Sequence, residues 1–275
     1  MSIDHVLKLY SETIQSPYLH YGFWDHPQSV DLDKVTLQEI KDAQNRYIEH
    51  LASFIPEDVK SILDVGCGIG GNADYLQEMG YLVEALSPDE FQKSVIAEKF
   101  NDAMTFHHCK FEYFNPVKEY DLILESESAC YINIDEGFKK AKETLRDGGY
   151  LLVSDYFVHF RDGSKNHHLK SSHDMGKYLS SANENGFDLI REYDQTDNTM
   201  PTLDYGKYFI ERFINPVMEY GIYSAKKNYP KTASIVGKII ATKIESKMGQ
   251  LELINSNLFR KYRHYMIYLF KKKNA

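Results

Sequence analysis

The run Ile62-Leu63-Asp64-Val65-Gly66-Cys67-Gly68-Ile69-Gly70-Gly71 constrains this chain more than any other stretch. An apolar strand passes through one acidic residue and straight into four closely spaced glycines. Glycines after a strand allow a tight turn with positive φ, and they let a ligand reach main-chain N–H groups that a side chain would screen. Helical spacing follows, with Ala73, Leu76 and Met79 on one face and Gly80 placed to end the helix. Strand, glycine turn and helix together open a nucleotide-binding βαβ unit.

The spacing of Gly66, Gly68 and Gly71 also spells the G-x-G-x-x-G of dinucleotide enzymes. Its neighbours argue against that reading. Asp64 stands where a dinucleotide-binding strand carries a packed apolar residue. The second strand, about residues 81–86, ends at Ser87-Pro88-Asp89, whereas a nicotinamide site wants an acidic residue at the strand tip for the ribose. Further strands are expected at 104–108, at 120–125, and after the Gly148-Gly149 turn up to Val153.

The order of these pieces resembles the class I S-adenosylmethionine-dependent methyltransferases over about residues 61–155, and in particular their tocopherol, sterol and cyclopropane-synthase branch. That branch ends its second strand Thr-Leu-Ser-x-x-Gln, and this chain reads Ser87-Pro88-Asp89-Glu90-Phe91-Gln92. After its fourth strand the branch carries Met-Glu-Ser-Gly-Glu-His. Here Glu127 and Ser128 match, while Cys130-Tyr131 replaces the final pair.

The resemblance implies an α/β fold, a doubly wound Rossmann-like sheet of seven mostly parallel strands with an antiparallel last strand. N-terminal helices and a C-terminal helical cap would be added to it. It also implies S-adenosyl-L-methionine as cofactor, contacted by Asp64, Gly66, Cys67, Gly68, Gly70, Ser87, Gln92 and Glu127. Where relatives place an Asp against the adenine amino group, this chain has Cys109-Lys110-Phe111. Lys110 cannot accept that hydrogen bond, so adenine is expected against backbone groups beside Lys110 and against the Phe111 ring.

Before the core, Tyr18-Leu19-His20-Tyr21-Gly22-Phe23-Trp24 holds the only Trp of the chain. Relatives carry a similar segment across the methionine end of the cofactor, which makes Tyr18, His20, Tyr21 and Trp24 an expected roof. The other reading is a hydrophobic loop packing the N-terminal helix onto the core. Gly22 among four aromatics favours the roof, because it suggests close approach to something besides packing.

The expected organisation is an N-terminal helical lid (1–54), a cofactor-binding core (55–200), a helical cap insertion (201–258), and a last strand with tail (259–275). Val6, Tyr10 and Ile14 mark one early helix; Ile40, Ala43, Tyr47, Leu51 and Phe54 mark the next. In the insertion, Ile210, Phe213, Ile214, Val217 and Met218 mark one helix, and Ile235, Ile239, Ile240, Ile244, Met248 and Leu251 a second, with a break near Pro230. These stripes suit a substrate cap or a homodimer interface.

Composition narrows the partners. A net charge of −8 with dispersed Lys and Arg argues against nucleic acid, and Lys271-Lys272-Lys273 reads as a solvated terminal run. Cys67, Cys109 and Cys130 are odd in number and lie on interior-type segments, which suits thiols in a reducing cytoplasm. No export signal and no apolar run of about 18 residues is read.

Methyl transfer from a sulfonium is an in-line displacement that needs positioning and exclusion of water more than a nucleophile. An acceptor hydroxyl or acidic carbon also needs a base. His20 in the roof, Glu127 past the fourth strand and His173 at the start of a later helix are the candidates. His159, His167 and His168 read as a solvated loop, and no metal set is formed. The reading is methyl transfer to oxygen, nitrogen or carbon of a small, partly apolar or aromatic acceptor. A cofactor-binding protein without catalysis and, behind it, a nicotinamide oxidoreductase are the alternatives.

Overall fold

The computed structural model describes residues 12–159, 172–228 and 255–274. Eight strands form one sheet: β1 (Ser61–Val65), β2 (Leu82–Leu86), β3 (Phe106–His107), β4 (Tyr120–Ser126), β5 (Leu145–Val158), β6 (His173–Asp174), β7 (Phe187–Asp194) and β8 (Arg263–Lys272). The order is β3-β2-β1-β4-β5-β8-β7, with two-residue β6 paired to the end of β5. The expected seven strands are the main path, and β6 is the addition. β8 runs antiparallel to both neighbours, so it is wedged between β5 and β7 and does more than close a hairpin. The chain leaves β1 for β2 and β3 on one side and returns to β4 on the other. A crevice therefore opens at the carboxyl ends of β1 and β4, where open α/β sheets bind ligands.

Eight helices accompany the sheet among the described residues: α1 (Leu37–Ala52), α2 (Gly71–Glu78), α3 (Glu90–Phe100), α4 (Ile134–Thr144), α5 (Met175–Glu184), α6 (Thr196–Phe209), α7 (Asn215–Asn228) and α8 (Ser256–Tyr262). On one face Tyr47, Ile48 and Leu51 of α1 pack with Ala73, Leu76 and Ile96 against Ile62, Leu122 and Ile267. On the other, Phe138, Ala141, Tyr178 and Ala182 pack against Leu63, Ile123 and Phe270. Each such side chain contributes roughly 1.5–3 kcal/mol when fully buried. Thr36 starts α1 with a reciprocal capping box to Glu39, which explains why the buried stripe begins at Ile40.

The segment before α1 divides into two unlike halves. Residues 22–24 lie flat on helices: Phe23 N–H donates to the Ala43 carbonyl (2.8 Å), Trp24 N–H to the Asn198 carbonyl (2.9 Å), and Gly22 N–H to Thr202 Oγ1 (3.0 Å). A Cβ on Gly22 would stand 2.5 Å from Ala43 Cβ. The close approach read from Gly22 is thus helix packing, a correction to the expectation. Residues 17–20 turn instead toward the crevice.

The expected insertion begins within α6, whose start packs into the core with Thr199 and Met200 fully buried. It continues through a π-helical turn (Ile210–Ile214) into α7, which has no buried residue. Phe213, Ile214, Val217 and Met218 are all exposed. Val6, Tyr10, His167, His168 and the stripe from Ile235 to Leu251 lie outside the described residues.

Candidate active site

A cavity of about 480 Å³ occupies the crevice at the end of β1 and β4. The glycine loop forms one wall. Gly66 N–H donates to the Leu86 carbonyl at 2.8 Å, pulling the chain sharply off the end of β1. Gly66 has φ +74°, and a Cβ there would lie 2.3 Å from Ser128 Cβ. No other residue fits. Gly68 has φ +57° and faces the cavity with only Leu19 near the site of its missing Cβ, at 3.4 Å. The loop leads into the N-terminus of α2, where Gly71 and Asn72 line the cavity. N–H groups that begin a helix favour an anionic group.

Most of the cofactor positions read from the sequence converge here. Gly66, Cys67, Gly68, Ser87, Gln92, Lys110, Phe111 and Glu127 all line the cavity. Ser87 hydroxyl donates to Gln92 Oε1 at 2.6 Å, which locks both at the tip of β2. Phe111 is buried and its ring serves both core and cavity. Gly70 and Asp64 lie behind the wall. Gly70 begins α2 and packs against Phe100, where a Cβ would come within 2.7 Å. Asp64 is buried on β1, its Oδ2 has no hydrogen-bond partner among the described residues, and burial pushes its carboxyl up to about 7. A buried oxygen without a donor, next to a glycine cradle that a Cβ would fill, fits a ligand carrying an amino group.

The roof is only half as expected. Tyr18 and His20 line the cavity, joined by Pro17 and Leu19. Tyr21 and Trp24 do not. Trp24 Nε1–H donates to Thr202 Oγ1 (3.0 Å) and its ring packs with Ile40, Ala43 and Tyr205, because the indole needs both apolar cover and an acceptor. The Tyr21 ring meets Tyr265 edge-on at 5.8 Å, while its backbone reaches the site.

Three candidate bases meet different fates. His20 is buried and stacked on Tyr47 (4.1 Å), with Nδ1 2.8 Å from the Tyr21 carbonyl and Nε2 3.0 Å from Asn72 Oδ1. Burial pulls the ring down to about 4 against these two contacts, so the neutral ring, which donates a single N–H, packs the roof on α2 and is a poor proton acceptor. His173 is in β6, not at a helix start, and it is not part of the cavity wall. Its Nε2–H is shared between the Ala129 (2.8 Å) and Ile132 (2.9 Å) carbonyls, which makes it an anchor for the turn after β4.

Glu127 remains. It follows β4 with φ +53°, an unusual backbone for a residue with a side chain, held by its N–H donating to the Ser154 carbonyl at 2.8 Å. Its Oε1 accepts from Tyr265 O–H (2.5 Å) and from Tyr21 N–H (2.8 Å). Both bonds fall on Oε1, and Glu127 lines the cavity. Burial raises the carboxyl to about 7 against those two bonds, which lower it.

Behind Glu127 stands a network that sequence reasoning missed. Tyr47 O–H lies 3.1 Å from Tyr265 O–H, 2.7 Å from Ser154 Oγ and 3.2 Å from Ser126 Oγ, and Gln195 Nε2–H donates to Ser154 Oγ at 2.8 Å. Tyr156, Tyr131 and Ile132 complete the wall on this side. Tyr156 was open to discovery from its place at the carboxyl end of a parallel strand. Asp155, beside it, accepts from Cys130 N–H (2.9 Å) and Tyr156 N–H (2.8 Å), and burial raises it to about 6.

Comparison with known proteins supplies the remaining constraint. A family model described as a methyltransferase domain matches residues 39–197. The chloroplastic tocopherol O-methyltransferase of Arabidopsis thaliana is 38% identical over 72 residues, 24% of this chain and 20% of that protein. The methyltransferase GfsG of Streptomyces halstedii is 24% identical over 208 residues, 67% of this chain and 70% of the other. The chain thus spans only about a fifth of the tocopherol relative's length. The geranyl diphosphate C-methyltransferase of Streptomyces coelicolor A3(2) shares the fold with a TM-score of 0.67 at 14% identity, over 96% of this chain and 92% of that one.

Proposed function

The chain belongs to the methyltransferase-domain family, and from that premise we propose that it transfers a methyl group from S-adenosyl-L-methionine to a small, partly apolar acceptor. The observation that carries the reading is one cavity holding a cradle of loop glycines, the Ser87–Gln92 pair and a raised carboxylate. When bound, the cofactor supplies an electrophilic methyl on a sulfonium. Gly68, Gly71 and Asn72 would hold its carboxylate and Asp64 would serve its amino end. Ser87, Gln92 and the Phe111 ring would hold the remainder.

The chain's own contribution to the reaction is position, dryness and one proton site. Pro17, Tyr18, Leu19 and His20 cover the glycine loop and exclude water. Glu127 accepts the acceptor's proton while Tyr265 O–H and Tyr21 N–H hold Oε1 in place. Tyr18, Tyr131 and Tyr156 give the acceptor an aromatic surround. Among the described residues the three cysteines are free thiols, which supports a cytoplasmic setting. No helix among those residues is long and apolar enough to cross a membrane. The exposed face of α7 would suit a homodimer, and the net charge of −8 does not favour nucleic acid as a partner.

Calorimetry with S-adenosylmethionine, S-adenosylhomocysteine and NADPH tests the cofactor, and radiolabelled methyl transfer to a small-molecule extract tests the activity. Binding of the two sulfur ligands with label transferred is the expected outcome. NADPH binding without S-adenosylhomocysteine binding contradicts it.

A further inference from the structure

Arg263 opens β8 at the same end of the sheet as the cavity. Its neighbours in sequence have carboxylate partners: Arg260 Nε lies 2.8 Å from Asp197 Oδ1, and His264 Nδ1 lies 2.8 Å from Asp194 Oδ2. Arg263 does not. Its Nε is buried without a hydrogen-bond partner among the described residues, and its guanidinium lies over the rings of Tyr156 (5.3 Å) and Phe259 (5.6 Å). Asp155, the carboxylate that acts on it at longer range, is already engaged by two backbone N–H groups. A largely buried cation held flat on an aromatic face, with no carboxylate in direct contact among the described residues and only Asp155 acting on it at longer range, is poised for an anion brought by a ligand.

Position links it to the reaction. Arg263 and Tyr265 are two residues apart on β8 and so share one face of the sheet; on β5 they stand opposite Val158 and Tyr156. Tyr265 holds Glu127, and Tyr156 both lines the cavity and carries the guanidinium. Moving outward along this face, Glu127 and Tyr156 line the cavity and Arg263 lies just beyond its wall, over the Tyr156 ring. Two residues along a strand span about 7 Å, the scale of a small aromatic acid.

We propose that the acceptor is anionic, carrying a carboxylate or phosphate that Arg263 receives through paired N–H donors while the reacting atom lies at Glu127. This rests on the methyltransferase reading above, and it names the acceptor class.

The test uses the full chain, radiolabelled S-adenosylmethionine, and a small-molecule extract split by anion exchange into retained and flow-through fractions. Wild-type protein is expected to label the retained fraction. Arg263→Gln should lower that labelling by about 100-fold and Arg263→Lys by about 10-fold, since Lys keeps charge but loses the planar fork. Both variants should bind S-adenosylhomocysteine with wild-type affinity, which also reports that they fold. Labelling confined to the flow-through, or labelling by Arg263→Gln equal to wild type, overturns the anionic acceptor and leaves the methyltransferase reading standing. Failure of the wild-type protein to bind S-adenosylhomocysteine overturns both.

Discussion

The two ends of the cavity are built by different means. The glycine-loop end is made from short, contiguous pieces: Gly66 to Asn72 in one turn, and Ser87 to Gln92 in another. The Glu127 end is assembled from Tyr21, Tyr47, Glu127, Ser154, Gln195 and Tyr265, which meet only because β4, β5 and β8 lie side by side. One end is specified by backbone conformation and the other by long-range hydrogen bonds. Substitutions at the first should therefore act chiefly on cofactor binding, and at the second on transfer and stability together.

The largest effect is expected at Gly68. Valine there would force a β-branched residue to φ +57° and put methyl groups toward Leu19 and into the cavity. Gly68→Val should weaken S-adenosylhomocysteine binding by at least about 100-fold, roughly 2.7 kcal/mol, and lower Tm by several °C through the backbone strain without unfolding the chain. Calorimetry and a melting curve read both. Unchanged affinity would remove the glycine loop from the site.

Tyr265→Phe probes the other end. It removes the donor to Glu127 Oε1 and one neighbour of Tyr47 O–H, in a fully buried position. A loss of about 1–3 kcal/mol in stability is expected, together with a drop in transfer rate that exceeds any change in cofactor affinity. A variant with wild-type Tm and rate would show that the network does not hold Glu127.

The smallest effect is a pH response that both ends share. Burial raises Glu127 to about 7 and Asp155 to about 6 at the Glu127 end, Asp64 to about 7 behind the loop, and Glu125 to about 8 beside Tyr178, away from the cavity. Each binds a proton more readily in the folded than in the unfolded chain. Their contribution to stability is present at low pH and is lost as pH rises through about 6 to 8. Tm should fall by roughly 5 °C between pH 5.5 and 8.5, and Glu125→Gln should flatten the slope. Thermal melts across that range decide it; a Tm that climbs with pH would contradict the assignment.

The same contrast explains what the sequence made legible. Gly66 could be read because a positive φ beside Ser128 admits no side chain, and Ser87 with Gln92 because the pair lies within one turn. Gly22 misled because a glycine among aromatics looks alike whether it admits a ligand or, as here, the Ala43 methyl. Trp24 followed it away from the cavity. Tyr47 read as one position of a helical stripe and Tyr265 as part of the last strand, since nothing local marks a hydroxyl whose partner lies far along the chain. His173 carried a reactive side chain in a suitable place, but two backbone carbonyls had claimed it.

Glu127→Gln tests the division most directly, because the amide keeps the shape and the Oε1 acceptor but loses the proton site. The paired measurement is S-adenosylhomocysteine affinity and the pH profile of methyl transfer. Wild-type affinity is predicted, with transfer slowed by about 10²–10⁴-fold and without the wild-type rise in rate as pH passes about 7. Loss of cofactor affinity in step with rate, or a transfer rate that still rises through pH 7, would contradict two separable ends.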